Sequence, residues 1–137
     1  MTAKVLDSWA LMAFFKGEPS GEMVEALIHK AAAEKTRLLL CVVNWGEIYY
    51  AMWRAGGEAA AEAVAEDLSH LPVDLIEADL TLSKQAARFK AVHKMSYADC
   101  FAAALAKMNN CELLTGDLEF KEVEKEIKIV WLIGGAR

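Results

Sequence analysis

Short apolar runs of strand length alternate with longer amphipathic stretches from one end of the chain to the other. Residues 4–6, 38–43, 73–76, 111–115 and 128–131 read as strands. The run 38–43, LLLCVV, is apolar without alternation, as expected for a strand covered on both faces. Residues 8–15 read as a short helix carrying Trp9, Leu11, Met12, Phe14 and Phe15, followed by a loop at 17–21 around Pro19. Ser20 is placed to cap a second helix, running to about Lys35 with Met23, Leu27 and Ile28 buried. Asn44 is placed to cap a third, with Glu47 at its capping-box position and Trp45, Tyr49, Met52 and Trp53 recurring on one face until Gly56-Gly57. An alanine-rich helix from Glu58 to about Leu71 stops at Pro72, and Asp79 caps a fifth that buries Leu80, Leu82, Ala86 and Phe89. Residues 118–126 read as a charged helical segment.

The stretch 96–117, SYADCFAAALAKMNNCELLTGD, departs from amphipathic patterning. From Ala98 to Leu105 every residue but Asp99 is apolar, which predicts a helix buried on all sides. The strand at 111–115 follows, with Gly116-Asp117 as its exit turn. Strands and helices therefore alternate throughout. This predicts a single α/β domain over residues 1–137, with a central parallel sheet of about five strands and helices on both faces. In such sheets the active site lies beyond the carboxyl ends of the strands.

Composition narrows the chemistry. A hydrophobic content of 55% suits a globular chain. Charges interrupt every apolar run, so no membrane span is expected, and the first residues do not read as a signal peptide; a cytoplasmic location is expected. Cys41, Cys100 and Cys111 are too few and scattered for a disulfide framework and are expected as free thiols. His29, His70 and His93 lack zinc-ligand spacing, so a metal would be held by oxygen, pointing to magnesium or manganese. A net charge of −5 argues against binding nucleic acid through a basic surface, while leaving room for an acidic cleft neutralised by cations and favouring a basic partner segment.

Four acids fall at related points of the predicted topology. Asp7 and Asp117 follow strands, Glu47 opens a helix that leaves a strand, and Asp99 opens the buried helix. The first three share the carboxyl rim of a parallel sheet by construction; Asp99 does not closely follow a strand, so its place there is not fixed by the same rule. Clustered carboxylates cannot all stay ionised without cations, and they titrate together. Two divalent ions about 4 Å apart would relieve that repulsion and clamp a phosphodiester, with no histidine, cysteine or serine nucleophile required. Taken singly, each acid also has a structural reading: Ser96-x-x-Asp99 and Asn44-x-x-Glu47 as helix caps, Asp7 as an N-cap, Gly116-Asp117 as a turn.

With these residues in view, the chain resembles PIN-domain proteins, and among them VapC-type toxins of toxin–antitoxin pairs. The resemblance runs from about Lys4 to Trp131 and rests on Val5-Leu6-Asp7-Ser8, on Glu47 within NWGEIYY, on Ser96-Tyr97-Ala98-Asp99, and on Leu114-Thr115-Gly116-Asp117 followed by Phe120. It implies a Mg2+-dependent endoribonuclease, with Mn2+ as the alternative ion. Asp7, Glu47, Asp99 and Asp117 would be catalytic and metal-binding, and Ser8 and Thr115 would support the acids or the substrate phosphate. Glu119 is a candidate for the family's further acid. Asp7 and Asp99 would hold the principal ion, Glu47 and Asp117 a second ion or its waters, and hydrolysis would leave a 5′-phosphate. The resemblance also implies an RNA substrate, a cognate antitoxin, and a homodimer.

Other readings stand beside this one. Lys84, Arg88 and Lys94 could guide RNA phosphates or be a solvated helix face. The Trp45–Tyr49–Met52–Trp53 stripe could be core, the default, or a partner surface. The chain could be a catalytically degenerate RNA- or partner-binding module. Asp7 could be the nucleophile of an aspartyl-phosphate phosphotransferase, although Trp9 stands where such enzymes carry a second aspartate.

Overall fold

In the computed structural model, residues 2–132 are described. Five strands form one wholly parallel sheet: β1 (Ala3–Leu6), β2 (Arg37–Cys41), β3 (Val73–Ile76), β4 (Glu112–Thr115) and β5 (Ile129–Trp131), in the spatial order β3-β2-β1-β4-β5. The helices are α1 (Ser8–Phe15), α2 (Gly21–Glu34), α3 (Val42–Gly56), α4 (Glu58–Ser69), α5 (Leu80–Val92) and α6 (Tyr97–Met108), with a 3-10 helix at Leu118–Val123. The chain builds outward from β1 to β3, then returns to lay β4 on the other side of β1. That reversal opens a crevice at the carboxyl ends of β1 and β4.

Strand side chains alternate between the two faces, and the two cores record that alternation. Leu6, Leu38, Leu40 and Leu114 point to one face and pack with α1, α2, α3 and α4 through Leu11, Val24, Ile48 and Leu68. Val5, Leu39, Cys41 and Leu113 point to the other and pack with α5, α6 and the 3-10 helix through Leu82, Phe89, Phe101 and Phe120. From Asp99 to Ala106, α6 is buried on every side, as its unbroken apolar run predicts. Buried apolar side chains contribute about 1.5–3 kcal/mol each, so these two layers supply most of the stabilisation. Gly21 lets α2 cross close to α1: a Cβ there would sit 2.4 Å from the Ala13 carbonyl oxygen.

Several expectations are corrected. Strand β2 ends at Cys41, and α3 begins at Val42, so Asn44 lies inside the helix rather than capping it. β2 pairs with β3 only as far as Cys41↔Ile76, and beyond that pairing the β-branched Val42 and Val43 have no ladder to join. Ser20 is buried and makes no capping hydrogen bond. Leu80, expected in the core, is exposed at the first position of α5, where the Asp79 side chain caps the Leu82 N–H at 2.9 Å. The aromatic stripe divides: Trp45 and Met52 pack against the core, whereas Trp53 is 45% exposed and ends a ladder in which Trp45 and Tyr49 stack with centroids 5.4 Å apart. The three cysteines are free. Among the described residues no helix is long and apolar enough to cross a membrane.

Candidate active site

Asp7 is the first residue past β1 and the N-cap of α1; its Oδ1 accepts from the Ala10 N–H at 2.9 Å. Because Leu6 pairs with Leu114, the next residue of β4, Thr115, stands beside Asp7, and its hydroxyl donates to Asp7 Oδ2 at 2.5 Å. The same hydroxyl oxygen accepts from the Asp117 N–H at 3.0 Å. Asp117 in turn caps the 3-10 helix, with Oδ1 taking the Glu119 N–H at 2.9 Å. Gly116 between them lets the Trp9 ring lie over the turn; a Cβ there would sit 2.2 Å from that ring and displace it.

Glu47 reaches the same place from α3. Its Oε1 accepts from Ser8 Oγ at 2.9 Å and from Asn44 Nδ2 at 3.1 Å. Asp99 arrives from the first turn of α6, where the Ser96 hydroxyl accepts the Asp99 N–H at 3.2 Å. A helix that feeds a parallel strand runs antiparallel to it, so the N-terminus of α6 must lie at the carboxyl rim although no strand immediately precedes it. Glu119 completes the ring: its carboxylate accepts the Ser96 N–H at 2.9 Å and hydrogen-bonds the Asp99 carboxyl. Ser8, Glu47, Asp99, Asp117 and Glu119 line one cavity of about 460 Å³, with Trp9, Lys16 and Tyr50 on its walls. Asp7 lies beneath this cavity and is 1% exposed.

The electrostatics are strained. Burial pushes the Asp7 carboxyl up to about 7, against the lowering pull of its Thr115 and Ala10 hydrogen bonds and with added repulsion from Asp117 and Glu47. Burial likewise pushes Asp99 up to about 8, helped by the hydrogen bond with Glu119 and the charges of Asp117, Asp7 and Glu119. The Glu119 carboxyl is lowered by its hydrogen bonds to Asp99 and the Ser96 N–H, the opposite direction from Asp99. None of these acids forms an ion pair among the described residues. Positive helix N-termini beside Asp7 and Asp99 offset part of the charge.

The donor set consists of oxygens, which suits a hard divalent ion rather than zinc. Among the described residues no group of three acid, histidine or cysteine side chains forms a ready coordination shell; the carboxylates ring the cavity instead. Repelling charges held apart in this way fit a site that an ion would draw together. Lys84, Arg88 and Lys94 do not line this cavity. Two larger clefts, of about 720 and 670 Å³, lie elsewhere and hold no such set of unpaired acids. The fold thus brings Ser8, Glu47, Asp99 and Asp117 to one cavity, with Asp7 and Thr115 directly beneath it. Glu119, only a candidate from the sequence, joins them because the 3-10 helix turns it back toward Ser96.

Among curated proteins none matches this sequence. Among solved structures, the chain superposes on VapBC2 from Rickettsia felis bound to a DNA fragment from its promoter, with TM-score 0.76, 12% identity, and coverage of 96% of this chain and 100% of that one. It is similar to DNA-bound VapBC from Salmonella typhimurium, with TM-score 0.75, 15% identity and coverage of 97% and 100%. It is also similar to VapC20 from Mycobacterium tuberculosis, described as a sarcin–ricin loop cleaving toxin, with TM-score 0.65, 18% identity and coverage of 86% and 92%. At these identities the likeness speaks to the fold. The sequence pattern of the PIN domain matches residues 4–126, which is nearly the whole span the strands and helices occupy. The chain therefore belongs to the PIN domain family, whose nucleases generally use divalent metal ions.

Proposed function

We propose that the protein is a Mg2+-dependent endoribonuclease, with Mn2+ able to substitute, acting as the toxin of a type II toxin–antitoxin pair. The observation that carries this reading is the gathering of Asp7, Glu47, Asp99, Asp117 and Glu119 at the crevice between β1 and β4, none of them in an ion pair among the described residues. A divalent ion bound there would neutralise the scissile phosphate and lower the pKa of an attacking water. Asp7 and Asp99 are the residues that would hold it, because both are buried at the crevice, where an ionised carboxylate is costly unless a cation offsets it. Glu47 and Asp117 would hold a second ion or order the water. Glu47 is oriented for this: Ser8 and Asn44 both engage Oε1, which leaves Oε2 to face other partners. In-line attack on phosphorus breaks the bond to the 3′-oxygen, yielding a 5′-phosphate and a 3′-hydroxyl. Thr115 keeps Asp7 and Asp117 in register.

The similarity to VapBC toxin–antitoxin complexes supports a cognate antitoxin partner; a homodimer and a cytoplasmic location belong to the same reading. The half-exposed aromatic ladder on α3, ending at Trp53, is the surface best suited to a protein partner. An aspartyl-phosphate mechanism is not favoured, since Trp9 stands where such enzymes carry a second aspartate. Incubation of the purified protein with total RNA in Mg2+, Mn2+ or EDTA tests the proposal. Cleavage with a metal and none with EDTA is expected; RNA that is bound but never cut would instead identify a degenerate binding module.

A further inference from the structure

Asn44 is fully buried in the first turn of α3. Its Nδ2 donates to Glu47 Oε1 at 3.1 Å and to the Ala98 carbonyl oxygen at 3.1 Å, so one amide ties α3 to the first turn of α6, next to Asp99. Its Oδ1 is buried and has no hydrogen-bond partner among the described residues. The orientation follows from the neighbours: with the amide reversed, Oδ1 would face two acceptors. An unpaired buried carbonyl is destabilising, and an apolar residue of similar size would avoid that cost. Packing alone therefore does not account for an amide here, whereas its two donors do. Ser8 also holds Glu47 Oε1, but from α1, and it does not reach α6.

We infer that Asn44 is a positioning residue that sets the span between Glu47 and Asp99, so that carboxylates from α3 and α6 can serve one divalent ion. This rests on the metal-dependent reading of the same cavity. Outer hydrogen bonds of this kind are typically worth about 10–100-fold in metal affinity.

Calorimetric titration of Mn2+ into the full chain tests it, with wild type, Asn44→Ala, Asn44→Leu, Glu47→Gln and the double variant Asn44→Leu/Glu47→Gln. Asn44→Leu fills the space without donors, so its melting temperature is expected to stay near wild type while Mn2+ affinity falls about 10–100-fold. In the Glu47→Gln background the same change is expected to weaken binding by less than about twofold, because the carboxylate it orients is gone. RNA cleavage by Asn44→Leu should need more Mn2+ for half-maximal rate and recover when the ion is in excess. If Asn44→Ala does not fold, Asn44→Leu alone decides. Wild-type affinity in Asn44→Leu, or an equal loss with and without Glu47, overturns the inference while leaving the metal site standing. Absence of Mn2+ binding in wild type overturns both.

Discussion

The two ends of the central sheet carry clefts and carboxylates alike, yet only one is electrostatically unfinished. At the amino ends of β1 and β4, Glu112 stands opposite Lys4 in the register, and the two pair at 2.5 Å. The cleft beside it, about 720 Å³, is lined by lysines as well as glutamates, and Glu126 bonds His93 at 2.6 Å. At the carboxyl ends, Asp7 and Asp99 are buried with raised pKa values, Glu119 hydrogen-bonds Asp99, and among the described residues no cationic side chain forms an ion pair with any of them. The cavity there is the smaller of the two. What marks a site on this protein is uncompensated charge rather than volume.

The largest expected effect comes from removing that charge. Asp7→Asn or Asp99→Asn should lower RNA cleavage at least about 1,000-fold, several kcal/mol of lost stabilisation, while circular dichroism shows a retained fold. Full activity in either variant would erase the distinction between the two ends.

The strain itself should be measurable as stability. Asp7 has a folded-state pKa of about 7 against an ordinary value of 3.8, so the folded chain binds more protons than the unfolded one between those values. Metal-free stability is therefore expected to be greatest on the acid side and to fall as pH rises through that window, with Asp99 extending the fall to about 8. For Asp7 the difference is of order 1–4 kcal/mol. Melting curves in EDTA across this range should show a decline that Asp7→Asn flattens and Mg2+ opposes, most strongly at the alkaline end. A pH-independent difference between wild type and Asp7→Asn would contradict the burial argument.

Thr115→Val preserves shape but removes the hydroxyl that serves Asp7 and Asp117 at once. Mn2+ affinity by calorimetry is expected to fall about 10–100-fold. The opposite end supplies the smallest effect. Glu112→Gln breaks a part-exposed pair and should change stability by about 0–1 kcal/mol and cleavage not at all. A large loss of cleavage in Glu112→Gln would mean that the two ends are coupled.

Local pattern carried much of this. The apolar run from Cys100 to Ala106 could only be a buried helix, which made Asp99 conspicuous, and the Asp79 cap and β3 were legible because their signals are confined to a few adjacent residues. The order of strands and helices determined a parallel sheet, and with it a shared rim for Asp7, Glu47 and Asp117, because a parallel connection must return every strand to the same end. Other features depended on contacts between residues distant in the chain. Strand β2 yields to helix at Val42 because β3 offers no further pairing, which places Asn44 inside α3 and turns its amide toward Ala98. Glu119 reads as an ordinary surface acid until the 3-10 helix folds it against Ser96. Asp99 reaches the rim because α6 runs antiparallel to the strand it feeds. Sequence by itself determined which elements form and which acids are out of place among apolar neighbours; only tertiary structure decided which of them meet, since separation in space is set by packing that no local window contains.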